Sequence, residues 1–317
     1  KVTEKPEAQQ PTDESIFKTE EVDGKPSLCK ITGYNVDKDK LPSKLVIPDT
    51  IGGKKVTEIG RRAFEGCTGI ETLDLSGCTS LKKIVESAFR DCIGITTLDL
   101  SGCTELTQIG WHAFYGCTGI EILTIGNANL TIDENAFANC NNINKLTILK
   151  GKITSDFTNS CNKEQLKTLV LGGGVTEIGS SAFEGCTGIE TLDLSGCTSL
   201  KKIVESAFRD CIGITTLDLS GCIELTQIGW SAFSSCTGIT TLNLPASLTK
   251  ISRSAFSGCT LLETVTFGKT DGWKAYGDLE YKDEIGSIDL SSNELRVNAL
   301  TKPRSEGGYR NCYWKRN

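Results

Sequence analysis

The chain repeats itself, and that feature limits what it can fold into more than any other. A Leu-rich pattern of the form Ile/Leu-x-x-Leu-x-Leu begins at Ile70, Ile95, Ile120, Ile143, Leu166, Ile189, Ile214, Ile239 and Leu262, and a last copy is expected at Ile285/Ile288/Leu290. The steps are 25, 25, 23, 23, 23, 25, 25, 23 and 23 residues. Ahead of most copies stands Ala-Phe-x-x-Cys, as in Ala63-Phe64…Cys67, Ala88-Phe89…Cys92, Ala182-Phe183…Cys186 and Ala255-Phe256…Cys259. A larger duplication lies over this period. Residues 56–123 and 175–242 align without a gap at an offset of 119, with 60 of 68 positions identical.

A period of this length with Leu-x-x-Leu-x-Leu predicts a leucine-rich-repeat solenoid. Alternation in Leu73-Asp74-Leu75 puts both leucines on one face and Asp74 on the other, as a half-buried strand requires. Stacked coils then form a parallel ladder at ~4.8 Å spacing, a concave sheet roughly 45 Å long for about ten strands in a right-handed, strand-rich coil of the α/β class. The returning arm fills the interior with Ile59, Phe64, Cys67 and their equivalents. Residues 149–163 are the irregular coil, with Phe157 three residues early, a local reshaping of the arm. The expected organisation is a flexible tether over 1–27, an N-terminal cap over 28–55, the array over 56–270, and a last repeat with a C-terminal cap over 271–317.

The string Val56-Thr57-Glu58-Ile59-Gly60…Ala63-Phe64-Glu65-Gly66-Cys67, followed by the Leu-rich strand, resembles the BspA-like surface proteins, whose repeats are the Treponema pallidum type of leucine-rich repeat. The upstream segment Ile31-Thr32-Gly33-Tyr34…Leu45-Val46-Ile47-Pro48 looks like that family's approach to its array, and the tail from Asp271-Gly272-Trp273 to Tyr313-Trp314 is similar to its closing segments. In the array only Leu244-Pro245 keeps the commoner proline after the strand; five strands end in Leu-Ser-Gly-Cys-type or Ile-Gly variants. The resemblance implies a bacterial cell-surface or secreted protein, often a lipoprotein, that adheres to host extracellular-matrix or other cell-surface proteins. Any membrane contact would come through an N-terminal lipid anchor preceding this chain, and a start at Lys1 rather than Met hints at a removed segment.

Composition narrows the function classes. A formal net charge of −6 argues against a general nucleic-acid binder, and no apolar run approaches the ~20 residues that span a bilayer. Fifteen Cys suggest disulfides, metal or redox chemistry until the register is considered. Eight follow Ala-Phe at a fixed offset and four occur as Ser-Gly-Cys after strands, at Cys78, Cys103, Cys197 and Cys222. A residue recurring once per coil at one interior position reads as a small buried hydrophobe. No Cys-x-x-Cys pair offers metal ligands, and no Walker or Gly-x-Gly-x-x-Gly loop cradles a phosphate. The only histidine, His112, is matched by Ser231 at the equivalent position of the duplicated block, so the slot exchanges freely and His112 reads as a surface residue rather than a base.

Asp74, Asp99, Asp193 and Asp218 take the outward middle position of their strands. Adjacent carboxylates ~5 Å apart would raise one pKa, yet an open repeated row reads better as a solvated sheet face than as acid/base or calcium chemistry. The expectation is a non-catalytic protein-binding module, monomeric, without metal or cofactor; a structural spacer of the cell envelope is the alternative. The candidate binding face comprises Glu71, Thr72, Asp74, Thr97, Asp99 and Glu121 in the first block, and Glu190, Thr191, Asp193, Thr216, Asp218 and Asn243 in the second. A rigid, preformed acidic surface suits basic partners with salt-sensitive affinity. Aromatic residues gathered beyond 271 read as a cap over the last coil, or as partner anchors.

Overall fold

The computed structural model describes residues 11–316 apart from 128, 134, 156, 157, 159, 160 and 279. Phe157 therefore lies outside the described residues. The chain forms two compact units, Lys1–Asn144 with Asn159–Asn162, and Lys145–Thr158 with Lys163–Asn317. The boundary falls at the irregular coil.

Each unit is a strand-rich solenoid in which most coils contribute one strand from the Leu pattern and a second, short one from the arm, while Lys145–Ile153 and Thr168–Ile178 each run through both as one strand. In the first unit Lys44–Val46, Thr72–Asp74, Thr97–Asp99 and Ile122–Ile125 pair in parallel, with Leu45, Leu73, Leu98 and Leu123 in one register row. The arm ladder runs in parallel through Lys25–Tyr34, Lys54–Ile59, Lys83–Ile84, Gln108–Ile109 and Thr131–Ile132. In the second unit Lys145–Ile153, Thr168–Ile178 and Thr191–Asp193 form one parallel group, and Thr216–Asp218, Thr241–Leu244 and Thr264–Phe267 another.

Between the ladders the phenylalanines stack. Phe64, Phe89, Phe114 and Phe137 lie 5.2–5.3 Å apart with rings within 7° of parallel, and Phe183, Phe208, Phe233 and Phe256 repeat the column at 5.2–5.5 Å. Centroids that far apart with parallel planes are offset stacks, a favoured aromatic geometry. The turn beside each phenylalanine uses a left-handed residue, Arg62, Ser87, His112, Asn135, Ser181, Ser206, Ser231 or Ser254, at φ of 51–59°. None of these is glycine, so each holds an uncommon backbone conformation that the stacked neighbours fix in place.

The cysteines do more than fill space. Cys92, Cys117 and Cys140 donate their thiols to the carbonyls of Phe64, Phe89 and Phe114 in the preceding coil at 3.0 Å, and Cys211, Cys236 and Cys259 do the same to Phe183, Phe208 and Phe233 at 3.0–3.3 Å. The Ser-Gly-Cys thiols reach strand-end carbonyls: Cys78 to Ile47 at 3.1 Å and Cys197 to Leu171 at 3.2 Å. Fourteen of the fifteen cysteines are buried, and burial pushes the thiols of Cys92, Cys140 and Cys186 up to about 12. Each of these phenylalanine carbonyls already accepts the amide three residues on in its own turn, as Phe64 O does from Cys67 N at 3.1 Å, so the thiol adds a second, weak bond that ties one coil to the next.

Both ends depart from the sequence expectation. The tether does not extend over all of 1–27, because Phe17–Val22 pairs antiparallel with Lys25–Tyr34. Its Phe17 is 4 % exposed and packs edge-on to Phe64, while Tyr34 stacks on the same ring, so the hairpin closes the aromatic column. The last copy at Ile285 is not a further parallel coil: Glu284–Ser287 pairs antiparallel with Trp273–Tyr276, which in turn pairs antiparallel with Tyr313–Arg316. Tyr313–Arg316 lies antiparallel on Lys250–Ile251 and ends the arm ladder with Trp273 and Trp314 fully buried. The exposed edge of Thr264–Phe267 is met by the helix Asn293–Thr301. The Asn293 amide accepts from Val265 N at 2.7 Å and donates to Glu263 O at 2.6 Å, doing for the edge what a further strand's peptide would do. No helix among the described residues is long and apolar enough to cross a membrane.

Candidate functional site

The strand face is built by alternation. With Leu73, Leu98 and Leu123 turned inward, the residues on either side project outward in two register rows. In the first unit one row holds Lys44, Thr72, Thr97 and Ile122, and the other Val46, Asp74, Asp99 and Thr124. Glu71, Thr72, Thr97, Asp99 and Glu121 are exposed and Asp74 half-buried, so the first-block residues singled out in the sequence do share one surface. In the second unit Thr191 and Asp193 line up with Thr168 and Val170, whereas Thr216 and Asp218 line up with Thr241 and Asn243. Glu190, Thr191, Thr216 and Asp218 are exposed there, with Asp193 and Asn243 half-buried.

The structure gives the aspartates a further role. Asp74 Oδ1 accepts from Ser76 N at 2.9 Å and Ser76 Oγ at 2.7 Å, and Asp193 does the same with Ser195 at 3.0 and 2.7 Å. Asp99 and Asp218 accept from the amides of Ser101 and Ser220 at 2.8 and 2.9 Å. These are Asx turns that end each strand. Asp74 and Asp99 are register partners, whereas Asp193 stands beside Val170 and Asp218 beside Asn243. The hydrogen bonds from Ser195 and from Ser220 hold Asp193 and Asp218 below the usual carboxylate range. The recurring Asp-x-Ser spacing carried this signal in the sequence.

The face is also less acidic than its Asp and Glu count suggests. Lys44 and Lys145 stand in the outward rows, and Lys167 pairs with Glu190 at 3.2 Å. Among the described residues no group of three or more His, Cys, Asp or Glu is placed to hold a metal ion. His112 is half-buried, stacked on Trp111 with centroids 3.8 Å apart, and it does not stand on the strand face.

The description "BspA type leucine rich repeat region" matches residues 43–163 and 157–272, in six copies. This chain belongs to the BspA-type leucine-rich-repeat family. Among curated proteins none matches its sequence. Solved structures similar to it include the T. pallidum leucine-rich-repeat protein, at 21% identity over 80% of this chain and 91% of the other with a TM-score of 0.39. A leucine-rich-repeat protein of Bacteroides ovatus matches at 18% identity over 78% and 92%, TM-score 0.38. A leucine-rich cell-surface protein of Faecalibacterium prausnitzii matches at 18% over 83% and 96%, TM-score 0.35. As a BspA-type chain it is a repeat scaffold of a kind that suits protein binding, with its variable chemistry on outward side chains.

Proposed function

We propose that this chain is a non-catalytic adhesion module, displayed on or released from a bacterial surface, that binds host matrix or other cell-surface proteins through its strand face. The observation that carries the reading is the two outward rows held in register by the parallel ladder. Threonine and aspartate are presented there, with Glu71 and Glu121 at the strand entries, on backbone that needs no ordering when a partner arrives. Membership in a family with surface-protein relatives supports the compartment.

The Asx turns change how the reading is tested. Reversing Asp74, Asp99, Asp193 or Asp218 would break a turn as well as a charge, so Glu71→Lys, Glu121→Lys and Glu190→Lys are the cleaner probes. Expected is capture of at least one immobilised extracellular-matrix protein by the full chain, weakened by the triple variant and by added salt. Capture unchanged in the triple variant would remove the strand face from the reading. Capture of no matrix or cell-surface protein would favour a spacer that projects other parts of the envelope.

A further inference from the structure

The arm ladder of the first unit carries a second surface of different chemistry. Glu58, Lys83 and Gln108 are successive register partners, and Gln108 Nε2 donates to Asp133 Oδ2 at 3.0 Å in the next coil. Together with Glu86 and Trp111 they line an open groove of about 370 Å³. Gly110 lets the Trp111 turn close onto the coil below, since a Cβ there would stand 2.9 Å from Glu86 N.

Trp111 is 48 % exposed, a large indole left in water. It is nevertheless held in place. His112, in the left-handed conformation at φ 56°, stacks on it at 3.8 Å and 20°, and His112 in turn meets Tyr115 at 4.6 Å. Asn139 Nδ2 donates to the Tyr115 hydroxyl at 2.7 Å, and the Arg90 guanidinium lies 5.1 Å from the centre of the Tyr115 ring. The duplicated block keeps the indole and removes its support: Trp230 is 50 % exposed, with Ser231, Ser234 and Ser252 where the first block and its next coil have His112, Tyr115 and Asp133. Two of these differences, at His112 and Tyr115, lie in the near-identical stretches and bear on the support of the indole, and the third, Asp133 in the next coil, lines the groove itself.

We infer that this groove is a carbohydrate-binding site, with Trp111 as the platform for a neutral sugar ring. A fixed indole offers its face to the C–H side of a pyranose, while Glu86, Gln108 and Asp133 accept and Lys83 and Gln108 donate to its hydroxyls, the mix of one apolar wall and a few convergent polar groups that small-ligand sites use. The charge balance favours a neutral ligand over a lysine or arginine side chain. Arg61 pairs with Glu86 at 3.0 Å and Lys83 stands beside Glu58 in the ladder, which leaves of the three lining carboxylates Asp133, already accepting from Gln108 Nε2, as a single net negative charge.

The test uses the full chain, titrated with mannan, β-glucan, galactan and N-acetylglucosamine oligomers and, separately, with an oligolysine peptide, reading tryptophan fluorescence and calorimetric affinity. At least one neutral oligosaccharide should bind. Trp111→Ala should weaken it about tenfold or more, the loss of one aromatic contact with its buried area, and His112→Ser should weaken it by a smaller factor while Trp230→Ala changes nothing. Because Trp111 and Trp230 are equally exposed, circular dichroism should report the same fold for both variants. The site is overturned if no neutral oligosaccharide binds, if Trp230→Ala weakens binding as much as Trp111→Ala, or if only oligolysine binds.

Discussion

Residues 63–103 recur unchanged at 182–222, yet the two copies do not pack alike. In the first, Thr72–Asp74 and Thr97–Asp99 form three consecutive register pairs and Leu73 is 3 % exposed. In the second, no ladder pairing among the described residues joins Thr191–Asp193 to Thr216–Asp218, and Leu192 is half-buried. The thiol bonds follow: Cys103 Sγ lies 3.5 Å from Leu75 O, but Cys222 Sγ is 3.9 Å from Leu194 O. A Cβ on Gly102 would stand 2.1 Å from Ser76 O, against 3.2 Å for Gly221 and Ser195 O. With the copies themselves identical, the difference lies in what flanks them, and the preceding coil supplies a clear contrast. Before the first copy, the Asp49 carboxylate takes hydrogen bonds from Ser80 N at 2.8 Å, Ser80 Oγ at 3.2 Å and Thr79 Oγ1 at 3.3 Å, pinning the loop that follows the strand. Before the second copy, the matching loop at Gly196 and Thr198 meets Gly172 and Gly173, where no carboxylate stands to accept. A solenoid coil is thus specified partly by its neighbour, the structural counterpart of nearest-neighbour energetics in repeat arrays.

The largest test asks whether the difference reaches the core. Phe89 and Phe208 are each 0 % exposed and each sits between stacked rings at 5.2–5.3 Å. Phe89→Ala and Phe208→Ala should each destabilise by about 3–5 kcal/mol in urea unfolding, and by nearly the same amount, since the columns are alike. Unequal losses would show that the looser ladder extends into the aromatic stack.

Asp49→Ala comes next. It removes three hydrogen bonds from a half-buried carboxylate and should cost about 1–2 kcal/mol, discounted for partial exposure. Its sharper readout is local. Amide exchange at Thr97 and Asp99 should rise toward the rate at Thr216 and Asp218 while the rest of the first unit stays protected. If exchange there stays slow, the cap is not what tightens the first copy.

These contrasts mark what a sequence can carry. The ladders were legible because Leu73, Leu98 and Leu123 recur with both the alternation of a strand and the period of a coil, and the stacking of Phe64, Phe89 and Phe114 follows from their fixed offset. The outward residues were legible as a face, since alternation alone sends Thr72 and Asp74 to the same side. What those residues do was only half legible. Asp-x-Ser is an Asx-turn signature, but alternation emphasised its carboxylate as surface charge. The caps escaped because nothing periodic announces them: Phe17 reads as part of a polar stretch until Phe64 is seen to need a lid, and Asn293 has no signal for pairing with Glu263 and Val265 from some 30 residues away. The groove beside Trp111 was hidden for a related reason, since its walls come from four coils.

The finest test reads the looseness of the second copy through its thiols. Burial pushes Cys103 up to about 12 and Cys222 to about 11, both from an ordinary value near 9. A thiol whose folded pKa is raised keeps its proton in the folded state after the unfolded chain has lost it. Its contribution to stability is therefore whole below about pH 9 and is lost as pH rises through the folded value. Because the thiolate is the reactive form, native labelling with iodoacetamide across an alkaline series should reach Cys222 at a lower pH than Cys103. Peptide mapping distinguishes the two sites by their following residues, Ile223 and Thr104. Simultaneous labelling would mean that the wider hydrogen bond at Cys222 does not open the coil to solvent. Earlier labelling of Cys103 would reverse the comparison between the copies.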